Sequence, residues 1–323
     1  MIRKSPEFDL IARHFTRSAT NAVLGVGDDC ALVDVSNGMD LAISTDTMVS
    51  GTHFFADVDP ETLGHKALAV NLSDIAAMGA MPYWAMLALT VPAVNHEWLS
   101  KFAKGFFDLA EEFGVSLIGG DTTKGPLTVT VTIMGEVPAG AALRRSGATV
   151  GNDIWVSGNL GDAALAVAHR RGLLKLSEGE YMEAVMRLYE PLPRVRLGQA
   201  LRGLATSAID ISDGLIGDLH HVCALSKVGA TVELERLPVS AIGARHVENP
   251  AGLTAIVAGG DDYELCFTAP ATARDSIEDL TDVVGVPLTR IGEIRKGKGV
   301  SLMGASGKPI AIDGRGFDHF TAS

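Results

Sequence analysis

The chain has 323 residues and is poor in the features that mark several protein classes. Its three cysteines, Cys30, Cys223 and Cys266, lie far apart and form no CxxC pair, so neither a disulfide framework nor a zinc site is indicated. Residues 1–15 lack the apolar stretch of a secretory signal, and no apolar run reaches the roughly 18 residues that cross a bilayer. These absences predict a cytoplasmic protein with no membrane as a partner.

Basic clusters are scarce as well. The chain has 27 Lys and Arg against 39 Asp and Glu, which gives a net charge of −12. Because an acidic protein repels phosphate backbones, nucleic acid is not expected as a partner. The same charge would repel a nucleotide, unless divalent cations held by the acidic residues offset the repulsion.

The familiar catalytic signatures are also missing. The sequence contains no GxxxxGK[ST] phosphate loop, no GxGxxG after a strand, no kinase HRD or DFG, no GxSxG and no HExxH. The pair His220 and His221 lacks the i, i+4 spacing of two metal ligands on a helix, which favours surface or packing roles. If ATP is a substrate, a scaffold other than a P-loop must hold its phosphates.

Apolar patterning predicts an α/β fold, because strand-like and helix-like segments alternate. Residues 127–133 alternate apolar residues with threonine, as in a half-buried strand. From Asn95 to Gly114 the apolar residues step by three and four, with Asn95 placed to cap the helix and Gly114 to end it. Further helices are predicted at about residues 61–78 and 214–227.

A stretch rich in Gly and Ala, residues 138–151, separates two patterned halves. It predicts an N-terminal domain of residues 1–137, a linker of residues 138–150 and a C-terminal domain of residues 151–323.

The clearest chemical signal is a set of carboxylates in apolar or glycine-rich surroundings. They follow a glycine turn at 25–31, end an apolar strand at 43–47, follow another strand at 118–123 and occupy a strand-to-helix turn at 209–214. Hard oxygen ligands of this kind suit Mg²⁺, which bridges to substrate phosphates. Asx turns at residues 28–29 and a helix N-cap at Asp213 are the alternative roles.

Asp74 is the most informative of these residues. On the predicted helix it shares a face with Ala67, Val70, Asn71 and Met78, and that face should pack inward. A carboxylate buried without a partner costs several kcal/mol or becomes neutral. A metal or other cation is therefore expected beside it, with a hydrogen bond to a backbone turn as the alternative.

Together these segments resemble the thiamine-monophosphate kinase family, in the superfamily of aminoimidazole ribonucleotide synthetase. The matching elements follow the family's order from residue 25 to residue 320: GVGDDCA, ISTDTMVSGTHF, KALAVNLSDIAAMGA, LIGGDTT, RSGA, IDISDGL, GGDDYELCF and GFDHF. Each element alone is weak, but the set is specific.

The resemblance implies a two-domain aminoimidazole ribonucleotide synthetase-like fold. An N-terminal α/β domain would bind ATP and Mg²⁺ and supply strands to a β-barrel shared across a homodimer. A C-terminal α/β domain would complete the nucleotide and thiamine sites. The implied reaction is Mg²⁺-assisted, in-line transfer of a phosphoryl group from ATP to thiamine monophosphate, the last step of thiamine diphosphate biosynthesis.

The resemblance also implies roles for residues at matching positions. The implied Mg²⁺ ligands are Asp29, Ser44, Thr45, Asp46, Asp74, Asp121, Asp210 and Asp213. The implied ATP contacts are Gly120, Asp121, Arg145 and Ser212. The implied thiamine contacts are His53, Asp261 and Phe317. Asp46, Asp74 and Asp121 are the implied catalytic residues.

Two positions depart from the family pattern. Asp261 stands where the family usually has Glu, so its side chain is one methylene shorter. Phe317 stands where relatives often have Trp or Tyr, and it can stack but offers no hydrogen bond. Both changes bear on the acceptor and neither touches the metal set.

Two alternative functions stay open from the sequence. One is another ATP-dependent synthetase of the same superfamily, although selenophosphate synthetase would need a reactive Cys in the N-terminal segment, where the first 29 residues have none. The other is a non-catalytic nucleotide- or metal-binding sensor, which turnover of ATP would exclude.

Overall fold

The computed structural model describes residues 6–311, and the chain divides into two compact units. One comprises Met1–Ile75 and Ala80–Gly140, and the other comprises Ala76–Gly79 and Ala141–Ser323. Each unit combines helices with a β-sheet, which confirms the predicted α/β class.

The first unit is built on long strands and two long helices. Its elements are α1 (Pro6–Leu10), a π-helical turn (Ile11–Phe15), β1 (Met39–Val49), α2 (Pro60–Ala77), β2 (Met81–Val91), α3 (His96–Phe113), β3 (Ser116–Lys124) and β4 (Thr128–Pro138).

These four strands form a sheet in the order β1-β4-β2-β3. β4 pairs antiparallel with both β1 and β2, whereas β2 and β3 run parallel. In the described part of the chain, β1 and β3 are therefore the two edges of the sheet.

The predicted helix from Asn95 to Gly114 is confirmed as α3. The side chain of Asn95 accepts hydrogen bonds from the N–H groups of Glu97 and Trp98, and Gly114 ends the helix with a φ of 66°. Its apolar face is buried, with Phe102 and Phe106 at 0% exposure. The predictions of α2 and of the strand at 127–133 are also confirmed, although β4 continues to Pro138.

The second unit has shorter elements. They are β5 (Asn152–Ser157), α4 (Asp162–Arg170), α5 (Glu178–Tyr189), α6 (Val195–Ala200), β6 (Ser207–Asp210), α7 (Leu215–Ser226), β7 (Gly229–Glu233), a 3₁₀ turn (Leu234–Arg236), α8 (Ala241–His246), α9 (Pro250–Ala258), β8 (Leu265–Pro270), a 3₁₀ turn (Ala271–Ala273), α10 (Arg274–Val284), β9 (Leu288–Arg295), β10 (Gly299–Met303) and β11 (Pro309–Ile310).

Its strands form a mixed sheet in the order β11-β10-β7-β9-β5-β8-β6. A core of aliphatic side chains from the sheet, α7 and α9 includes Ile154, Leu215, Leu219 and Ile256, all at 0% exposure. α7 confirms the helix predicted at about 214–227. Among residues 6–311, no helix has both the length and the apolar character that crossing a bilayer requires.

Candidate active site

Ser44, Asp46 and Asp74 are brought together by β1 and α2. The Ser44 hydroxyl donates a 2.5 Å hydrogen bond to Asp74 Oδ2, and the Asp46 N–H donates to Asn71 Oδ1 at 3.2 Å. Ser44 and Asp46 are half-buried and two residues apart in a strand, so their side chains leave β1 on the same face. Two carboxylates and a hydroxyl thus lie close together, and Mg²⁺ prefers such ligands.

The predicted inward face of α2 is confirmed except at its end. Ala67, Val70 and Asn71 are 1%, 4% and 0% exposed, and Asp74 is half-buried. Met78 is 37% exposed, so the prediction is wrong for this residue. The reason is that α2 ends at Ala77, and a residue beyond the helix no longer follows its face.

Asn71 contributes to the site without having been assigned a role from the sequence. Its side chain donates to the carbonyl of Ala67 at 3.0 Å and accepts the N–H of Asp46, so both ends of the amide are used. A fully buried amide with both ends bonded is fixed in orientation. Asn71 therefore holds the backbone of β1 in register with α2 at Asp46.

Thr45 lies on the opposite face of β1 from its neighbours. Its side chain is exposed, and its hydroxyl is 2.8 Å from the hydroxyl of Thr132 on β4. Side chains alternate along a strand, so the Thr45 hydroxyl points away from Ser44 and Asp46. The structure therefore does not bring the side chain of Thr45 to the other implied Mg²⁺ ligands of β1.

Asp121 is also separated from Asp46 within the first unit. Asp46 pairs with Val131, Val131 with Leu87, and Leu87 with Gly120, so Asp121 lies one position further on and three strands away. Three strand spacings amount to about 14 Å. Asp121 is exposed on the edge strand β3, and this unit does not place it beside Asp46.

Both β1 and β3 run further than the sequence indicated. The segment 43–47 lies inside β1 rather than at its end, and Gly119, Gly120 and Asp121 lie inside β3 rather than after it. Threonine favours the extended conformation, and the threonines at 45, 47, 122 and 123 continue both strands.

Gly120 has a structural reason to be glycine. Its φ is +148°, and a Cβ at this position would lie 1.8 Å from the carbonyl oxygen of Leu87 on β2. β3 therefore approaches β2 too closely here for any side chain. An ATP contact at Gly120 would be made by its backbone.

Asp29 and His53 lie in turns of the first unit. Asp28 Oδ1 accepts the N–H of the next residue, Asp29, at 2.8 Å, which differs from the two-residue spacing of an Asx turn, and Asp29 is exposed. His53 follows β1, and its Nδ1 accepts the N–H of Val49 at 2.9 Å. Because Nδ1 accepts, a neutral His53 carries its proton on Nε2.

In the second unit, the two motif loops 210–214 and 259–264 are joined through their backbones. Tyr263 N–H donates to Ile211 O at 2.8 Å, Asp261 N–H donates to Ser212 O at 2.9 Å, and Ile211 N–H donates to Glu264 O at 2.8 Å. These bonds extend the pairing of β6 with β8. They bring Asp210, Ser212, Asp213 and Asp261 into one rigid part of this unit.

The 259–264 loop is held in an uncommon conformation. Asp261 and Tyr263 have φ values of 72° and 51°, in the left-handed region that glycine prefers. Gly260 has no room for a Cβ, which would lie 2.2 Å from Ser212 O. Residues in this conformation cost about 1–3 kcal/mol each and cluster at functional sites.

Asp262 anchors this loop from inside the unit. Its Oδ1 accepts the N–H of Gly161, the residue before α4, at 2.8 Å. Its Oδ2 is buried and has no hydrogen-bond partner among the described residues. Burial raises the pKa of Asp262 well above its usual value, and the nearby carboxylates of Glu264, Asp162 and Asp261 add to the rise.

A buried ion pair fixes the end of the same loop. Arg194 Nε donates to Glu264 Oε2 at 2.6 Å, and Arg194 Nη2 donates to the other oxygen. Ser157 Oγ donates to Glu264 Oε2 at 2.5 Å and accepts the N–H of Leu265 at 2.9 Å. These bonds fix the side chain of Glu264, the last residue of the loop that carries Asp261 and Tyr263.

Asp218 was not assigned a role from the sequence. It lies on α7 at 3% exposure, and its Oδ2 accepts the N–H groups of Ser212, Asp213 and Gly214, each at 3.1 Å. Burial raises its pKa to about 7, with the charge of Asp213 as the next cause. Its position on an apolar helix is the signal that singled out Asp74, and it would have found Asp218 too.

Two implied contacts remain. Arg145 is exposed, and its carbonyl accepts a 3.4 Å hydrogen bond from Ser226 Oγ, which also accepts the N–H groups of Gly147 and Ala148. The backbone at Arg145 is thus held at the end of α7 while its side chain faces solvent. Phe317 lies outside the described residues.

The donor set fits a magnesium ion that is shared with a substrate. Among residues 6–311, no three His, Cys, Asp or Glu side chains are placed to enclose a metal ion by themselves. Mg²⁺ is commonly held by one or two carboxylates, with water and substrate phosphate supplying its other ligands. Asp46 and Asp74, with the Ser44 hydroxyl, match that pattern.

Comparison with known families matches most of the chain. Residues 27–137 match the family described as AIR synthase related protein, N-terminal domain. Residues 149–305 match AIR synthase related protein, C-terminal domain. The sequence is 47% identical to thiamine-monophosphate kinase of Escherichia coli (strain K12), over 97% of this chain and 98% of that protein.

Solved structures give the same relationship. The crystal structure of thiamine-monophosphate kinase from Stenotrophomonas maltophilia K279a has a TM-score of 0.83 and 45% identity, covering 91% of this chain and 95% of that one. A structure of AaThiL complexed with AMPPCP and TMP has a TM-score of 0.76 and 28% identity, covering 89% of each chain.

Proposed function

Because the chain belongs to the thiamine-monophosphate kinase family, we propose that it transfers the γ-phosphoryl group of ATP to thiamine monophosphate, producing thiamine diphosphate and ADP. The observation that carries this proposal is the full-length relationship to that kinase, together with the hydrogen bond between Ser44 and Asp74. A structural neighbour binds an ATP analogue and TMP together, which are the two ligands that the reaction requires.

The acceptor in this reaction is a phosphate oxygen, which is largely ionised near neutral pH. No general base is needed to activate it, and catalysis reduces to aligning two anions and offsetting their repulsion. Two unit charges 4 Å apart repel by about 4 kcal/mol at an effective dielectric of 20. Mg²⁺, when bound, would neutralise this charge on the phosphate oxygens.

The metal ligands in this proposal fall into two groups. Ser44, Asp46 and Asp74 form one group in the first unit, and Asp210 and Asp213 form the other on the 210–214 loop of the second. Asp29 and Asp121 complete the set as exposed carboxylates. Thr45 belongs to this set through the family resemblance alone, because its hydroxyl lies on the other face of β1.

The remaining residues orient the two substrates. Gly120, Arg145 and Ser212 contact ATP, with the guanidinium of Arg145 suited to phosphate oxygens. Ser212 uses its side chain, since its N–H is already bonded to Asp218. His53, Asp261 and Phe317 contact the thiamine moiety, and Nε2 of a neutral His53 offers the donor.

The active protein in this proposal is a homodimer with a shared β-barrel. The outer face of the first unit's sheet exposes Ile43 at 61% and Met86 at 40%, together with Thr45 and Thr47. Open edges and an exposed apolar face both favour pairing with another sheet, and a closed barrel removes the edges. Light scattering after gel filtration would give twice the chain mass, and a monomer at working concentration would contradict the shared barrel.

We place the enzyme in the cytoplasm, where ATP and Mg²⁺ are supplied. Its three cysteines are free, with Cys223 and Cys266 buried, as suits a reducing compartment. Burial raises the pKa of the Cys223 thiol to about 11, which leaves it unreactive.

The test is ADP formation by the purified protein with ATP and Mg²⁺, comparing thiamine monophosphate, free thiamine and no acceptor. Turnover only with the monophosphate, with thiamine diphosphate identified chromatographically, is the expected result. Phosphorylation of free thiamine, or ADP release that is indifferent to the acceptor, would overturn the assignment. ATP binding without any turnover would instead favour a sensor.

A further inference from the structure

The three N–H groups of Ser212, Asp213 and Gly214 point at a single atom. Each lies 3.1 Å from Asp218 Oδ2. Successive N–H groups that converge in this way form an anion-binding concavity, and phosphate groups often occupy such a position before a helix. Here a carboxylate of the chain itself fills it.

Because Asp218 accepts all three hydrogen bonds, the N–H groups of residues 212–214 are not available to a ligand. The groups that the 210–214 loop has left for a ligand are side chains, chiefly the carboxylates of Asp210 and Asp213. A loop that presents carboxylates while its amides are satisfied is built to hold a cation rather than a phosphate. By occupying these N–H groups, Asp218 therefore favours binding of a cation over binding of a phosphate at this loop.

Asp218 also fixes the segment that carries the Asp213 carboxylate. It belongs to the helix α7, and its Oδ2 is committed to three N–H groups of the segment 212–214. The 210–214 loop is held on its other side by the bonds from Ile211 and Ser212 to the 259–264 loop. The segment carrying Asp213 is thus clamped between α7 and that loop.

We propose that Asp218 is a positioning residue for the metal site: by binding the N–H groups of residues 212–214, it holds Asp213 where it can share Mg²⁺ with Asp210, which the pairing of β6 with β8 keeps in place. Asp218 contacts neither metal nor substrate. The inference rests on the proposed function only in that Asp210 and Asp213 are taken as metal ligands. Residues that orient metal ligands are worth about 10–100-fold in metal affinity or activity.

The test compares three substitutions of Asp218 with a matched control. Asp218→Ala removes the acceptor, Asp218→Asn keeps an oxygen that can accept the same bonds, and Asp218→Glu keeps the charge but shifts the loop by one methylene. The control is Asp153→Asn, because Asp153 is also a buried carboxylate of this unit but is paired with Arg274 and Arg290 instead.

Two readouts are needed. The first is Mn²⁺ binding in the presence of AMPPCP, followed by electron paramagnetic resonance, and the second is the Mg²⁺ concentration that gives half-maximal turnover. We expect Asp218→Ala to weaken Mn²⁺ binding about 10-fold or more and raise the half-maximal Mg²⁺ concentration in parallel. Asp218→Asn should stay near wild type, and Asp153→Asn should lower the melting temperature without moving either readout.

A folded Asp218→Ala protein with wild-type Mn²⁺ binding would overturn the inference. If that variant does not fold, Asp218→Glu decides, because it should weaken Mn²⁺ binding while Asp218→Asn does not, and equal binding by the two would overturn the inference. Failure of the proposed function is recognised separately. Wild-type protein that makes no thiamine diphosphate contradicts the function, whereas the Mn²⁺ measurements need no acceptor and still test Asp218.

Discussion

The hydroxyl of Ser44 lies 2.5 Å from a carboxylate oxygen of Asp74, which is 30 residues further along the chain. The bond joins the middle of β1 to the last turn of α2. Two regular elements, rather than a loop, therefore set the distance between these groups. Sites built on helices and strands hold their geometry more closely than sites built on loops.

Replacing the carboxylate of Asp46 on β1 or of Asp74 on α2 should remove activity without unfolding the protein. Asp46→Asn and Asp74→Asn each keep the size of the side chain but remove a charge that the metal needs. We expect turnover to fall by more than the roughly 100-fold typical of residues that only orient ligands. ADP formation and a thermal melt of each variant would check this, and near-wild-type rates at saturating Mg²⁺ would contradict the shared-metal arrangement.

Ser44 and Thr45 should differ, although they are adjacent and were implied in the same role. Ser44→Ala removes the hydroxyl that bonds Asp74, whereas Thr45→Val removes a hydroxyl on the opposite face. We expect Ser44→Ala to raise the half-maximal Mg²⁺ concentration and Thr45→Val to leave it unchanged. Thr47→Val is the control, because the Thr47 hydroxyl bonds Thr130 on that same outer face. An equal rise in the Thr45 variant would show that its side chain reaches the metal.

Two neighbouring glycines of β3 should respond in opposite ways to alanine. A Cβ on Gly120 would lie 1.8 Å from the Leu87 carbonyl, whereas a Cβ on Gly119 would lie 3.6 Å from the end of the flexible Met86 side chain. Gly120→Ala must push β3 away from β2, at a cost of about 3 kcal/mol in the free energy of unfolding. Gly119→Ala should be tolerated. Urea denaturation measures both, and similar losses would contradict the close approach at Gly120.

Local features were predictable from the sequence because they depend on near neighbours. The helix from Asn95 to Gly114 follows from its capping residue, its periodicity and its final glycine, all within 20 positions. The strand order β1-β4-β2-β3 depends on pairing between distant segments, and nothing local specifies it. The family resemblance groups Asp121 with Asp46, and nothing local in the sequence shows that β4 and β2 lie between them in the first unit.

Side-chain direction was a second limit. The family resemblance implies residues 44–46 as one ligand set, yet alternation along β1 sends the side chain of Thr45 to the other face. The sequence marks Asp218 as a carboxylate on an apolar helix, as it does Asp74, but its three partners are backbone N–H groups, and no motif shows which groups they are.

Removing one member of the buried ion pair of Arg194 and Glu264 should destabilise the protein more than removing both. Their side chains are 17% and 7% exposed, so Arg194→Met would leave the Glu264 charge buried with fewer partners. We expect a loss of about 3–5 kcal/mol in the free energy of unfolding. The double variant Arg194→Met with Glu264→Met should lose less than Arg194→Met alone, because no charge stays buried. Urea denaturation of all three would check this, and a double variant less stable than the single one would contradict it.

Glu180 should give the protein an acid-sensitive element at the start of α5. Hydrogen bonds from Ser177, with help from Arg245, lower the pKa of Glu180 from 4.5 to about 2. Because the folded-state pKa is the lower one, the stabilisation is present above about pH 4.5 and is lost as the pH falls toward 2. Glu180→Gln should therefore lower the melting temperature at pH 7, with a difference from wild type that shrinks between pH 4.5 and pH 3.

The control for that measurement is Glu178→Gln, since Glu178 lies in the same first turn of α5 but is exposed. At pH 7, the melting temperature of Glu178→Gln should differ less from wild type than that of Glu180→Gln. A Glu180→Gln difference that stays constant down to pH 3 would show that the charge is not responsible.

The bonds between the 210–214 and 259–264 loops limit how this protein can acquire a new acceptor. Because Asp261 and Tyr263 are paired residue by residue with Ser212 and Ile211, an insertion or deletion in either loop would misalign the other. Loop-length variation, a common route to new specificity among enzymes, is therefore closed at this position. Divergence or redesign must proceed by exchanging side chains, such as that of Asp261, on a fixed backbone.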